Sequence, residues 1–189
     1  MTSGRLVDPS GRRSSRNGID PYVRERTHWN LLDADVIRWR METGDGTQLL
    51  RDLADVRSVV EPAAAHRASL HHGDADLAAL ESALDAMRRA QVDSTAAAEA
   101  DAAFHRALLA ATGNEMLHRM DLEPGLRERD RMVHAHTDAD DPVPSHRAVL
   151  DAVRDRDPAR AELAMLDLLA KAAEDLDHLT TAQDGAPRP

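Results

Sequence analysis

"EADAAFHRALLAATGNEML", residues 99–117, is the stretch whose reading decides the fold. Ala103, Phe104, Ala107, Leu108 and Ala111 recur in it at intervals of three and four, the spacing of one helix face. Nothing in it alternates with the period of two that a half-buried strand shows. Ser94 stands upstream where a hydroxyl N-cap is expected, and Gly113 in "TGN" suits a helix C-terminus. Inside this helix Asp101 precedes His105 by one turn, so both side chains share a face near the edge of the apolar stripe. Two readings stand: a hydrogen bond at the core boundary, or an oxygen and a nitrogen for one divalent cation.

The same period extends outward in both directions. "TQLLRDLADVRSVVEPAAAHRASL" (residues 47–70) carries Leu49, Leu50, Leu53, Val56, Val59 and Val60 at helical spacing. Pro62 lies inside it and predicts a kink or break near residues 58–61. Asp74 is the expected cap of a helix bearing Leu77, Leu80, Leu84 and Met87. A helix from Glu115 through His134 is expected to bend or split at Pro124. After the loop "TDADDPVP", "SHRAVLDAVRDR" forms a helix, and Asp157 with Pro158 sets the cap and first turn of the last one. Upstream, "LLDADVIRWRMET" reads as a short amphipathic helix that Trp29 and Trp39 anchor to the rest. These segments predict an all-α domain, an antiparallel bundle of six to seven helices.

Composition supports that reading and limits the function. Of 189 residues 42% are hydrophobic but only 2% aromatic, so the core is built from Ala, Leu, Val and Met. Acids outnumber Lys and Arg by 34 to 24, and the formal charge of −10 argues against a free-standing nucleic-acid binder. No cysteine is present, which excludes disulfides and thiolate metal sites. No apolar run reaches membrane-spanning length, and "MTSGRLVDPSGRRSSRNGIDP" lacks the apolar segment of a secretory signal. A soluble cytoplasmic protein is expected. Residues 1–22 are read as a disordered tail, 23–45 as a linker and short helix, 46–180 as the bundle, and 181–189 as a second tail.

Further polar residues fall inside the apolar pattern. Arg57, between Val56 and Val60, needs a counter-charge: Glu61 one turn on, or the carboxylate of a ligand. His146 is followed by Val149, Leu150 and Val153 and is compatible with facing solvent or the interior. His134, near a helix end, is a candidate to reach a central pocket.

"HWNLLDADVIRW", "LLRDLADVRSVVEPAAAHRA", "DAAFHRALLAATGNEML" and "SHRAVLDAVRDRDPARAELAM" follow one another in an order and spacing that resembles a known family. It is the FadR C-terminal (FCD) ligand-binding domain of GntR-type bacterial transcription regulators, and the likeness runs from about Val23 to Leu179. "VEPAAA" and the tryptophan-flanked linker are most similar to the branch of galactonate-operon repressors.

The resemblance implies a homodimer and a small hydroxy-carboxylate effector, of sugar-acid type, held in the bundle. It also implies a divalent metal, Zn²⁺ foremost with Ni²⁺ or Mn²⁺ as alternatives, on Asp101, His105 and His146. Leu168 stands where the family's fourth ligand, a histidine, is placed. Arg57 matches the arginine that meets the effector, and Asn114 matches a further family position while also suiting a helix terminus. The family's N-terminal winged helix-turn-helix has a counterpart here only in "IDPYVRERTHWN", which resembles the wing's last strand, so no DNA binding is expected from this chain alone. A late start or a natural remnant both account for that. Two other functions stand beside the sensor. One is a headless subunit that pairs with full-length relatives. The other is a metal-dependent hydrolase or lyase, for which no H-E-x-x-H motif is present. His105→Ala is expected to lower metal occupancy at little cost to stability, with Asp101 as the only buried charge expected beside it.

Overall fold

The computed structural model describes residues 29–44, 46–90, 93–120, 122–136 and 141–184, with the side chains at 123, 134–136 and 179–184 left out. The tail at 1–22, most of the linker's start, the loop at 137–140 and the end of the second tail lie outside the described residues. Among these residues there are eight helices and no strand. They are α1 (Ala34–Glu42), α2 (Gly46–His71), α3 (Asp74–Arg89), α4 (Ser94–Ala111), α5 (Glu115–His118), α6 (Glu123–His136), α7 (Val143–Arg154) and α8 (Pro158–Asp184). The bundle is all-α, as the periodicity predicts; the count exceeds seven because the one-turn α5 separates from α6.

Local chemistry sets the boundaries, with small corrections to the sequence reading. α4 is capped by Asp93 rather than Ser94: its Oδ1 accepts from the amides of Thr95 and Ala96 at 3.0 and 3.1 Å. α3 starts after Gly73, whose amide donates to Asp76 Oδ2, so Asp74 is the first helical residue and not the cap. Gly113 ends α4 at φ +65°, a left-handed conformation that costs glycine little. Asp157 Oδ1 accepts from Arg160 N at the start of α8. The last helix continues to Asp184, into the stretch read as a tail.

α2 runs through Pro62 to His71 without the expected break. Proline removes one ladder hydrogen bond, but α2 is packed along α8 and α4, and tertiary packing decides helix continuity more than propensity does. α1 is fixed by Val36 and Ile37, each 2% exposed. The two tryptophans pack edge to face on each other, 4.7 Å between centroids, and remain half-buried.

α4 is the element around which the site is built. It packs against α2, α3, α5 and α6. Phe104, Leu108, Ala100 and Ala111 enter the larger core, with Leu80, Leu84, Val149, Leu150 and Met165. Ala102 and Leu109 enter a smaller core with Leu53, Leu122 and Leu126. At 100° per residue, Asp101 and His105 fall on the strip between those two faces. Both are buried, so they stand between two cores rather than at a core boundary.

Candidate metal and effector site

Four helices bring charged side chains into this strip. α4 supplies Asp101 and His105, α2 supplies Arg57 and Glu61, α7 supplies His146, and α6 supplies Arg129 and Asp130. All seven are classed among the buried polar residues, with Glu61 at 0% and His105 at 1% exposure. Burying this much charge is unfavourable unless each group is paired.

Part of the cluster is satisfied. Arg57 Nε donates to Glu61 Oε1 at 2.8 Å, and its Nη2 lies 3.4 Å from Oε2 and 3.0 Å from His105 Nε2. Burial alone would raise the Glu61 carboxyl, but the Arg57 guanidinium and then His105 outweigh it and hold it down at about 2. Burial disfavours the Arg57 charge, and Glu61 more than offsets it, so its pKa is raised. The ion-pair reading of Arg57 therefore describes the structure, yet Arg57 also lines the central cavity.

The rest is not satisfied. His146 Nδ1 lies 2.8 Å from the carbonyl oxygen of Pro142, so the ring proton belongs on Nδ1. Its Nε2 lies 2.9 Å from Asp101 Oδ1 without the geometry of a hydrogen bond. His105 differs: its Nε2, 3.0 Å from Arg57 Nη2, is 3.6 Å from Asp101 Oδ2, and it is its Nδ1, 2.9 Å from Glu61 Oε2 but off the hydrogen-bonding direction, that is left over. Asp101 Oδ2, His105 Nδ1 and His146 Nε2 all lack a hydrogen-bond partner. Phe104 packs edge-on against both rings and fixes their tilt, with centroids 4.8 Å from His146 and 5.9 Å from His105.

One ligand atom from each of Asp101, His105 and His146 lies within 4.8 Å of the others. A divalent cation among them would give the orphaned Asp101 Oδ2 and His146 Nε2 an attractive partner. The outer partner of His146 also fits, since a metal-binding imidazole usually gives its other nitrogen to a carbonyl or carboxylate, here Pro142, while Glu61 lies beside the other nitrogen of His105. The Asp101 carboxyl illustrates the same balance. Burial pushes it up, while His105, His146 and Arg57 prevail and hold it well below the usual range.

The site opens into a cavity of about 440 Å³, lined by Arg57, Asp101, His146 and Leu168, and by Arg129, Asp130 and Lys171. Leu168, 4% exposed, closes one wall with an apolar side chain that offers no ligand atom. Asp130 touches both Arg129 and Asp101; burial and the neighbouring Asp101 charge push its carboxyl well above the usual range. No sequence pattern singles out Arg129, Asp130 or Lys171, because α6 and α8 bear many charges and only the packing shows which of them bury or border the cavity. Glu61, expected from the sequence as a partner for Arg57, also touches His105, so His105→Ala disturbs two buried carboxylates rather than one. Asn114 does not line the cavity: it caps α5, accepting from Met116 N and Leu117 N at 2.9 and 3.4 Å. His134 lies on α6 with its side chain outside the described residues.

The FCD domain family model matches residues 52–171, which takes in every residue of this site. The chain belongs to the FCD-domain family. It is 33% identical over 165 residues to the galactonate operon transcriptional repressor of Escherichia coli (strain K12), across 84% of this chain and 71% of that one. That relative is a regulator and not an enzyme. Among solved structures it resembles a Streptococcus agalactiae GntR, with a TM-score of 0.51 and 22% identity, which speaks for the fold. That match covers 73% of this chain and 59% of the other. No described helix of this FCD protein is long and apolar enough to cross a membrane.

Proposed function

We propose that the chain is the effector-sensing part of a transcription regulator, taking a small hydroxy-carboxylate of sugar-acid type together with a divalent cation. The observation that carries the reading is the convergence of Asp101, His105 and His146, with Asp101 Oδ2 and His146 Nε2 orphaned, beside a cavity lined by Asp101, His146 and Arg57. A bound cation would supply a Lewis-acidic point for carboxylate and hydroxyl oxygens. A donor set of two imidazoles and one carboxylate suits Zn²⁺ and leaves Ni²⁺ and Mn²⁺ possible. With Leu168 at the fourth family position, the remaining coordination is left to water or the effector.

The protein's own groups then orient the ligand. Nη1 of Arg57 has no hydrogen bond to the protein among the described residues, so it is the donor available to a carboxylate. Arg129 and Lys171 line the cavity elsewhere, beside the Asp130 carboxyl, which burial and Asp101 push upward. Binding would bias the equilibrium between two arrangements of a homodimer. Val56, Val59 and Leu70 on α2 and Leu163 and Leu166 on α8 are exposed large apolar side chains, Val59 at 75% and Leu163 at 62%. The two helices pack together and are tied by the His66–Glu162 contact, which makes this shared face the proposed dimer surface.

Calorimetric titration with a panel of sugar acids, before and after chelation, tests the reading. Saturable binding that disappears with the metal supports it. Silence across the panel in the metal-loaded protein contradicts it.

A further inference from the structure

A second cavity, of about 410 Å³, opens on the opposite side of His105, where α4, α5 and α6 meet. Its charge runs against that of the molecule. In a chain of net charge −10 it is lined by Arg106, His118, Arg119 and Arg127, with no acid among its described lining residues. Its floor is apolar, and Leu109 and Leu126 on that floor are 2% and 1% exposed. Arg119 is held by a contact that is easily exchanged: it pairs with Glu115 at 2.6 Å, both side chains more than 70% exposed, while the less exposed Arg127 pairs with Glu99 at 2.8 Å. An exposed pair such as Arg119–Glu115 contributes roughly 0–1 kcal/mol, so a ligand of higher charge density displaces it.

We propose that this cavity is a second binding site, distinct from the central one, for a small organic phosphate monoester. A phosphate dianion offers three terminal oxygens, and guanidinium forks match such oxygens better than ammonium groups do. The volume exceeds that of the phosphate alone, and the apolar floor has room for the body of an ester. His105 stands in the walls of this cavity and of the central cluster at once. Occupancy here therefore acts on the imidazole that faces Asp101, and metal binding acts back on this site by the same factor.

The test is titration of the metal-stripped full chain with glucose 6-phosphate, followed by calorimetry and by phosphorus NMR. Inorganic phosphate and a short DNA duplex serve as comparison probes. The variants are Arg119→Gln with Arg127→Gln, both at exposed or half-exposed positions, and His146→Ala in the central site. Saturable binding of the ester, weakened roughly tenfold or more in the arginine double variant and unchanged in His146→Ala, is expected. Binding lost in His146→Ala but kept in the double variant would place the anion in the central cavity and overturn the proposal. Inorganic phosphate binding as tightly as the ester, DNA displacing the ester, or no saturation in the millimolar range would each overturn it too. Sugar-acid binding to the metal-loaded protein is a separate readout, so failure of one site leaves the other testable.

Discussion

Glu61→Gln is the substitution whose cost follows most directly from the buried cluster. Glu61 is 0% exposed and Arg57 2%, and their closest contact is 2.8 Å. Removing one partner of a buried ion pair costs on the order of 3–5 kcal/mol, because the remaining charge is left in a poor solvent. Glutamine keeps an oxygen for Arg57 Nε but loses the charge, so the lower end, about 3 kcal/mol, is expected. For a chain of this size, that is a fall in Tm of roughly 6–12 °C. An exposed pair at the same spacing would be worth about 0.3–0.5 kcal/mol, or a degree or two. The assay is thermal and urea unfolding followed by far-UV circular dichroism, in chelator so that metal loss does not contribute. Pairing Glu61→Gln with Arg57→Met should recover most of the loss, since two neutral groups replace two charges of similar volume. A single variant melting within about two degrees of the parent would refute the reasoning.

The same carboxylate sets an acid limit. Its folded value of about 2 lies below the ordinary 4.5, so its contribution is whole above pH 4.5 and is lost as the pH falls toward 2, to be read from unfolding curves across that window. Glu61→Gln should also weaken metal binding by roughly 10–100-fold through His105, measured by competition with a chromophoric chelator; unchanged affinity would detach Glu61 from the site. Arg156 has φ 55°, and its guanidinium donates to the carbonyls of Ser69, Leu70 and His72 at the end of α2. Arg156→Ala should therefore cost more than Arg156→Gly by about 1 kcal/mol in urea unfolding, because only alanine keeps the left-handed strain. Equal losses would mean that the backbone relaxes.

Much of the fold was legible because it rests on local rules. The three- and four-residue recurrence through Phe104 and Leu108, the Gly113 terminus and the Asp157–Pro158 start all read as they stand. At Pro62 a non-local effect decides, since packing carries α2 through it; at the start of α4 a local one does, since the Asp93 oxygen, not that of Ser94, reaches two amides. For the site, spacing alone placed Asp101 and His105 on one face and went no further. The apolar pattern after His146 leaves its direction open, its place in the ligand set comes from the family resemblance, and its approach to Asp101 is a contact between α4 and α7 that no periodicity contains. Arg129 and Asp130 stayed hidden for the same reason, in a helix whose charges look uniform along the chain.

The central claim is that Asp101, His105 and His146 share one cation. Crystals grown with zinc, measured across its absorption edge, test it without reference to any effector. The account predicts one anomalous peak per chain at about 2.0–2.2 Å from a carboxylate oxygen of Asp101 and a ring nitrogen of each histidine. A zinc-loaded crystal with no peak there, or with its peak only on surface histidines such as His66, would contradict it.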